Sequence, residues 1–250
     1  EASFVDYLSR SLGIPAAIDF TPHWGNRSNS NSWSVLLKPD GKATTFYMGC
    51  VPGDTAQYFH PYKKPKIFRR TFRINQVMQH DFDGEKNVPA LFKIPAFTDV
   101  TNEYYQTTDI VRSISGKYSD HKVAYICVYD NKRWEPVYYG TIDAGKVVFK
   151  SMGRGILYST CICEKGQMVP IEAPYVLEKS GKVRDIKSDV HKITLRLNRK
   201  YPYMGREDYF NFRMWNGKFQ GCQTQNFHTP TDLYVFEGMT EGCWYEHIIE

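Results

Sequence analysis

Residues 123–150 read VAYICVYDNKRWEPVYYGTIDAGKVVFK, and this stretch decides the fold class. Three runs rich in β-branched and aromatic residues, at 123–129, 133–139 and 147–150, are separated by turn-forming residues. No helical period interrupts them, so each run is expected to pair with the next one in an antiparallel arrangement. The stretch therefore predicts an antiparallel sheet.

The same alternation of short β-favouring runs and turns continues toward the C-terminus. Four further β-favouring runs follow at 156–163, 168–171, 175–178 and 193–197, punctuated by turns at 164–166 and 180–181. Seven short strands at this spacing, without helical patterns between them, are typical of an antiparallel β-sandwich. After residue 201 the chain is rich in aromatic residues and glycine but has no clear period, so we expect loops and short strands packed on the sandwich.

The first third of the chain has a different pattern. Residues 1–12 predict a helix, because Phe4, Leu8 and Leu12 recur every four residues before Gly13. Extended runs follow at four places, 16–20, 32–37, 43–48 and 66–72. We therefore predict an α+β, mostly β chain. It comprises a partial helix-plus-antiparallel-sheet domain at 1–85, a β-sandwich at 86–200 and a C-terminal segment at 201–250.

Composition and charge narrow the function classes. The 250 residues are 42% hydrophobic and 24% charged, which excludes a disordered chain, and no run approaches the ~20 apolar residues of a membrane span. The formal net charge is only +5, so the basic run at 63–70 is expected to be a solvated face, and no nucleic-acid partner is predicted.

Cysteine usage predicts neither a metal site nor another cofactor site. The chain has six cysteines, and Cys161 and Cys163 lie two residues apart, so on a strand both would face one side of the sheet. No further cysteine or histidine stands at the spacing of a metal site. We interpret this pair as core residues, since a free cysteine packs as a small hydrophobic side chain.

The densest cluster of polar and aromatic residues lies between 19 and 33. Its members are Asp19, His23, Trp24, Asn26, Arg27, Asn29, Asn31 and Trp33. The order of helix, strand, this loop and two further strands is the order in which papain-like and transglutaminase-like folds present a nucleophilic cysteine, a histidine base and an orienting residue.

Several motifs spread over the chain resemble secreted transglutaminase-like proteins of gut Bacteroidetes, which have a papain-like (cysteine-protease-like) fold. The motifs are Leu12-Gly13-Ile14-Pro15-Ala16, Ile18-Asp19-Phe20-Thr21-Pro22, Trp24-Gly25-Asn26-Arg27-Ser28, Lys66-Ile67-Phe68-Arg69-Arg70, Asp99-Val100-Thr101, Trp134-Glu135-Pro136-Val137, Met152-Gly153-Arg154-Gly155-Ile156 and Gly217-Lys218-Phe219-Gln220-Gly221. The resemblance implies a β-rich domain after the transglutaminase-like part, and in longer members a discoidin-like module. It also implies a secreted, periplasmic or outer-membrane-anchored protein connected with glycan utilisation.

The catalytic residues of that family carry over poorly. The resemblance places the nucleophilic cysteine around the start of the first helix, before residue 1 of this sequence. It places the histidine base of a His-Ser-Trp pattern at Asn31, and asparagine cannot accept a proton at neutral pH. The third position falls on the run 43–48, which has no Asp, Asn or Glu. The resemblance therefore implies a degenerate relative of a thiol hydrolase or amide-transfer enzyme, and leaves open whether the chain is an enzyme.

The sequence leaves two alternatives open for the function of the 19–33 cluster. His23 lies in the same loop and is a candidate substitute base, or a loop histidine packed on Trp24. The chain is alternatively a non-catalytic surface module that binds a glycan or a peptide through Trp24, Arg27 and Trp33. In that case Arg27 either clamps a carboxylate or holds the loop, and each tryptophan is either part of the binding surface or part of the core.

Overall fold

The computed structural model describes residues 2–46, 62–130, 133–186, 192–198, 208–215, 219–227, 233–240 and 245–248. The chain divides into two compact units, residues 1–184 and 185–250. This division differs from the boundaries near 85 and 200 that the sequence predicts, and those domain limits stay predictions. Within the described residues, no helix combines the length and apolar character needed to cross a membrane.

An antiparallel sheet of five strands forms the first part of the larger unit. It follows helix α1 (Ala2–Ser11), and its strands are β1 (Ala16–Thr21), β2 (Asn31–Leu37), β3 (Ala43–Phe46), β4 (Phe68–Arg70) and β5 (Phe97–Asp99). Their order in space is β3-β2-β1-β4-β5. Because β1 is central, its register sets Asp19 beside both Trp33 of β2 and Arg69 of β4. The last strand, β5, pairs with β4, although the sequence analysis assigns its residues to the predicted sandwich at 86–200.

Three short α-helices complete this part of the chain, two between β4 and β5 and one after β5. They are α2 (Gln76–Asp81), α3 (Ala90–Lys93) and α4 (Thr101–Tyr104). Asn75 caps α2, because its side-chain oxygen accepts a hydrogen bond from the backbone N–H of Met78 at 3.1 Å. With four or six residues each, these helices are too short to show the periodicity on which sequence prediction depends.

The second sheet of this unit has eight strands. They are β6 (Thr107–Ser113), β7 (Val123–Asp130), β8 (Arg133–Asp143), β9 (Lys146–Gly153), β10 (Ile156–Glu164), β11 (Gln167–Pro170), β12 (Tyr175–Leu177) and β13 (Val183–Asp185). The order is β13-β12-β10-β7-β8-β9-β6, and β11 pairs with β10. Ile110 of β6 and Tyr175 of β12 share one buried core although they lie near opposite ends of this order. The sheet therefore curls on itself, an arrangement compatible with the predicted sandwich.

Lys66 joins the two sheets. Its side chain is fully buried, and its Nζ donates hydrogen bonds to Asp99 of β5 and to the backbone carbonyls of Lys150, at 2.6 Å, and Ser151, at 3.1 Å. Burial lowers the pKa of Lys66. Arg69 is buried as well. The expectation of a solvated face at 63–70 is therefore wrong for these two residues, because the carboxylates and backbone carbonyls that hold them come from distant parts of the chain.

The smaller unit consists of two small antiparallel sheets. Strand β14 (Lys192–Asn198) pairs with β17 (Leu233–Thr240), and β15 (Asp208–Trp215) lies between β16 (Phe219–Phe227) and β18 (Tyr245–Ile248). Tyr234, Phe236 and Met239 form a buried cluster on which Leu195 packs. The predicted α+β, mostly β class with antiparallel sheets is confirmed for the described residues.

Candidate functional site

The loop that joins β1 to β2 forms a pocket of about 220 Å³ at the start of β2, called here the β2 pocket. Its lining residues are Trp24, Arg27, Ser28, Asn29, Ser30, Asn31 and Tyr62. Within the loop, the N–H of Trp24 donates to the carbonyl of Asn29 at 3.0 Å, and Asn29 has a φ of 76°, which asparagine tolerates better than most residues. The pocket thus brings together three predicted site residues, Trp24, Arg27 and Asn31.

The segment that follows residue 61 fixes the other side of the loop. The N–H of Gly25 donates to the carbonyl of Lys63 at 2.7 Å, and the N–H of Lys63 donates to Oδ1 of Asn26, also at 2.7 Å. These two hydrogen bonds bring Tyr62 beside Trp24, with a ring-centroid distance of 5.4 Å. The position of the pocket wall is therefore set by hydrogen bonds to the backbone of Lys63, one from the backbone of Gly25 and one to the side chain of Asn26.

Arg27 is the exposed cation of the β2 pocket. Its guanidinium lies 4.4 Å from the ring centroid of Tyr62, a cation–π distance. No carboxylate in the part of the chain that the structure describes lies within ion-pairing distance of Arg27. Stacking leaves the in-plane N–H donors of the guanidinium available, and their fork geometry matches a carboxylate.

Trp33 lies next to this pocket but does not line it. Its ring is buried, and its Nε1–H donates to the hydroxyl of Tyr104 at 2.9 Å. The ammonium of Lys64 lies 5.0 Å from the ring centroid of Trp24, 5.8 Å from that of Trp33 and 5.7 Å from that of Tyr105. Trp24 is also mostly buried. Both tryptophans therefore belong largely to the aromatic packing beneath the pocket.

A buried ion pair between Arg69 and Asp19 is linked to Trp33 of β2 through the hydroxyl of Tyr104. Arg69 donates to both carboxylate oxygens of Asp19, each at 2.8 Å, and Tyr104 donates to Oδ2 of Asp19 at 2.6 Å. Arg69 also donates to Glu103 at 3.2 and 2.8 Å. Burial, followed by the charge of Asp19, raises the pKa of Tyr104, so its hydroxyl stays protonated and donates. The network ties β1, β2, β4 and α4 together.

His23 is buried and does not line the β2 pocket. Its Nδ1 lies 2.7 Å from the carbonyl oxygen of Trp24, and its Nε2 lies 3.0 Å from Oδ2 of Asp130, the last residue of β7. Ser28 donates to the other oxygen of Asp130 at 2.6 Å. Both ring nitrogens face oxygen acceptors, so acting as a base would require His23 to give up one of these contacts. In this position it anchors the loop to β7.

Asn31 begins β2 and lies opposite Thr21 of β1. Its side-chain amide offers a donor and an acceptor to a ligand but no site for proton uptake. The adjacent strand β3, Ala43–Phe46, carries no carboxylate, so the described part of this strand offers no partner that could orient a base at position 31. The rest of the run predicted to 48 lies outside the described residues.

The three cysteines whose side chains the structure describes are not part of the β2 pocket. Cys127, Cys161 and Cys163 are buried and carry free thiols, and none lines the β2 pocket. Burial raises the pKa of the Cys127 thiol and of the Cys163 thiol, which disfavours the reactive thiolate. The burial of Cys161 and Cys163 agrees with their interpretation as core residues. Cys50 lies outside the described residues.

A larger cleft of about 830 Å³, the β8 cleft, lies on the other side of Ser30. Ser30 lines both spaces. The remaining lining residues of the β8 cleft are Phe20, Pro22, Pro89, Ala90, Leu91, Arg133, Trp134, Glu135, Pro136, Gly166, Gln167 and Met168. Arg133 pairs with Glu135 at this cleft. Sequence reasoning missed it as a site, and the tryptophan, acid and proline at 134–136 were the available signal.

The fold and the site define a mostly β protein with a pocket lined by an arginine, amides, hydroxyls and aromatic rings. Within the described ranges, no nucleophile–base pair lines the pocket, and no group of three His, Cys, Asp or Glu side chains could hold a metal ion. Comparison of the chain with protein-family models, with curated proteins and with solved structures found no match.

Proposed function

We propose that the chain is a catalytically degenerate relative of transglutaminase-like thiol enzymes. We further propose that it binds a carboxylate-bearing glycan in the β2 pocket. The observation that carries the proposal is Arg27, stacked 4.4 Å from the Tyr62 ring without a carboxylate partner in the described residues. A secreted or cell-surface location belongs to the same proposal. It rests on the resemblance of the sequence motifs.

Binding is favoured over catalysis by the chemistry of the groups present. The resemblance places the family's base at Asn31, and both nitrogens of His23 are engaged away from the pocket. The thiols of Cys127 and Cys163 have raised pKa values because they are buried. Acyl transfer by the thiol mechanism needs an activated thiolate and a base within hydrogen-bonding reach of each other. The described residues that line the pocket offer neither group.

The lining favours an acidic sugar as the ligand. Four consecutive polar residues, 28–31, contribute two hydroxyls and two side-chain amides beside Arg27, and the Ser28 hydroxyl, which donates to Asp130, offers a ligand only an acceptor. Amides and hydroxyls both donate and accept, as the hydroxyl groups of a sugar require. A space of about 220 Å³ is smaller than a typical drug-sized pocket, so it suits one terminal residue of a longer ligand. A uronic acid supplies both the hydroxyls and the carboxylate.

Calorimetric titration with an oligogalacturonate, its methyl-esterified form and a Glu-rich peptide tests this proposal. We expect the oligogalacturonate to bind, and Arg27→Ala to weaken binding about tenfold or more, since one charge-assisted pair is worth ~1.5 kcal/mol or more. Arg73→Ala removes an exposed arginine that does not line the pocket and should leave the affinity unchanged. Equal binding of the esterified ligand, or a preference for the peptide, would overturn the assignment to acidic glycans.

A separate experiment tests the loss of catalysis. Full-length protein is labelled with a thiol-reactive probe across a pH range, and the modified cysteines are mapped by mass spectrometry. Uniformly slow labelling is expected. A single cysteine that reacts well below the free thiol pKa of ~8.5 would show an activated nucleophile and contradict the degenerate-enzyme proposal.

A further inference from the structure

The β8 cleft and the β2 pocket are built on the same two segments of the chain. Ser30 lines both spaces, and the β1–β2 loop that carries it also contributes Pro22 to the β8 cleft. The β7–β8 hairpin joins the two spaces a second time. Its Asp130, which accepts the hydrogen bond from Ser28 of the β2 pocket at 2.6 Å, lies opposite Arg133 of the β8 cleft in the strand register. The two spaces therefore adjoin, and one ligand can extend from one into the other.

The β8 cleft has an aromatic floor and a polar rim. Trp134 is buried and Phe20 partly buried, so the rings of the lining lie deep. Ser30, Arg133 and Gln167 are exposed and stand at the edge. A sugar ring has the matching distribution, because its C–H groups form an apolar face and its hydroxyls point outward from the ring. The cleft therefore suits sugar residues that lie with a C–H face on the floor.

The charges divide the recognition of the ligand between the two spaces. Arg133 and Glu135 are the charged residues among those that line the β8 cleft, and they pair with each other. Their charges balance, and their remaining donor and acceptor positions can bind hydroxyls. Arg27 of the β2 pocket, in contrast, has no carboxylate within ion-pairing distance among the described residues. A ligand that spans both spaces is therefore held by its carboxylate in the β2 pocket and by its hydroxyls in the β8 cleft.

The two volumes set the length of the ligand. A space of about 220 Å³ suits one sugar residue, and the β8 cleft, at about 830 Å³, is nearly four times as large. By this comparison the cleft takes about three or four further residues. A single sugar would leave most of the combined site empty.

We propose that the β2 pocket and the β8 cleft form one binding site for an acidic oligosaccharide of about four or five residues. Its acidic end residue lies in the β2 pocket, and the rest of its chain lies along the β8 cleft. This inference rests on the proposed function of the β2 pocket. To that function it adds the length of the ligand and the direction in which the ligand leaves the pocket.

Titrations with galacturonic acid and with oligogalacturonates of two to six residues test the length of the site. Binding is followed by chemical-shift changes in ¹⁵N-labelled protein, which measure weak as well as tight affinities. We expect the affinity to rise about tenfold or more between one and four residues, because one or two added hydrogen bonds are enough for that factor. The affinity should then change little beyond about five residues, where the cleft is full.

Substitutions that obstruct the β8 cleft locate the added residues. Ala90 is exposed and lines the β8 cleft but not the β2 pocket. Ala90→Trp should remove most of the gain with length and leave the affinity for galacturonic acid unchanged. Gln167→Trp obstructs the cleft from β11 and should act in the same way. Ala173→Trp is the matched control, because Ala173 is exposed and lines neither space, and it should leave every affinity unchanged.

The variant Arg27→Ala separates this inference from the proposed function. If galacturonic acid binds through Arg27 but longer ligands gain nothing, or gain equally in Ala90→Trp and Gln167→Trp, the joined site is wrong and the proposed function stands. If no galacturonate binds, or Arg27→Ala weakens none of them, the proposed function fails and the inference fails with it. A pentaglutamate peptide that binds more tightly than pentagalacturonate, and is weakened by Ala90→Trp, would assign the cleft to a peptide and overturn the inference.

Discussion

Replacing Arg69 by alanine should destabilise the larger unit more than almost any other single charge removal. Arg69 is the bidentate partner of Asp19, with both N–O distances at 2.8 Å, and the Asp19 side chain is completely inaccessible to solvent. Arg69→Ala leaves that carboxylate buried with only the hydroxyl of Tyr104 as a donor. The expected loss of folding stability is large because the substitution leaves a buried charge without its counter-charge.

The magnitude follows from burial. Breaking a buried ion pair by removing one partner costs ~3–5 kcal/mol. The second pair, with Glu103, adds little, since Glu103 is 40% exposed and a pair of this kind contributes ~0–1 kcal/mol. For a unit of this size, 1 kcal/mol shifts the Tm by about 2–4 °C, so the expected loss is about 6–20 °C.

Differential scanning calorimetry and urea titration measure this loss, with Arg70→Ala as the matched control. Arg70 is the next residue of β4 and is exposed, so its removal should change stability by less than ~0.5 kcal/mol. A double-mutant cycle with Asp19→Ala should give a coupling energy of about 2 kcal/mol or more. Equal effects of Arg69→Ala and Arg70→Ala, or additivity with Asp19→Ala, would refute the reasoning.

Two further outcomes are expected. Burial raises the pKa of six tyrosines, to about 12 for Tyr138; the six are Tyr104, Tyr125, Tyr138, Tyr139, Tyr158 and Tyr175. The stability that these raised pKa values contribute is complete below the unfolded pKa of ~10 and is lost as the pH rises through the folded pKa values. In an alkaline titration the tyrosinate absorbance of these six, out of 18 tyrosines in the chain, should therefore appear only with unfolding, and absorbance equivalent to all 18 tyrosinates before the unfolding transition would contradict this. Gly153→Ala should cost ~1–3 kcal/mol, because the added Cβ would overlap the carbonyl oxygen of Lys64, whereas Gly116→Ala, with open space around it, should change the urea midpoint little.

The sheet around 123–163 could be predicted because its signals are local. The strands alternate with residues that adopt the backbone conformation a tight turn requires: Ala144 and Gly145 have φ values of 45° and 70°, and Lys165 and Gly166 have 50° and 81°. The pairs β7–β8, β8–β9 and β10–β11 then join strands that follow one another in the sequence. These turns and hairpins do not depend on a distant part of the chain, whereas the pairing of β10 with β7 does.

The burial of the basic run could not be predicted in this way. Lys66 and Arg69 are held by Asp99 and Asp19, which lie 33 and 50 residues away. Charge counted along the sequence cannot distinguish a solvated lysine from one whose partner arrives through the fold. The same reason explains α1, whose apolar spacing predicts a helix correctly but does not state which side meets the protein.

Only part of the candidate site could be predicted from the sequence. Trp24, Arg27 and Asn31 come together because they share one loop, so a cluster in sequence becomes a cluster in space. Tyr62, on which Arg27 stacks, and the β8 cleft come from distant segments and were missed. The interpretation of His23 as a substitute base stays a prediction that requires its two present contacts to change.

The polar richness of the β1–β2 loop has a structural reason that bears on its function. His23 and Ser28 share Asp130 of β7, and Asn26 holds the backbone of Lys63, so the loop is fixed on both flanks. Ligand recognition benefits from such fixing, because a preformed site loses less conformational entropy on binding. Nucleophilic catalysis would instead need His23 to be free. The contacts that make the loop rigid are therefore the ones that favour binding over catalysis.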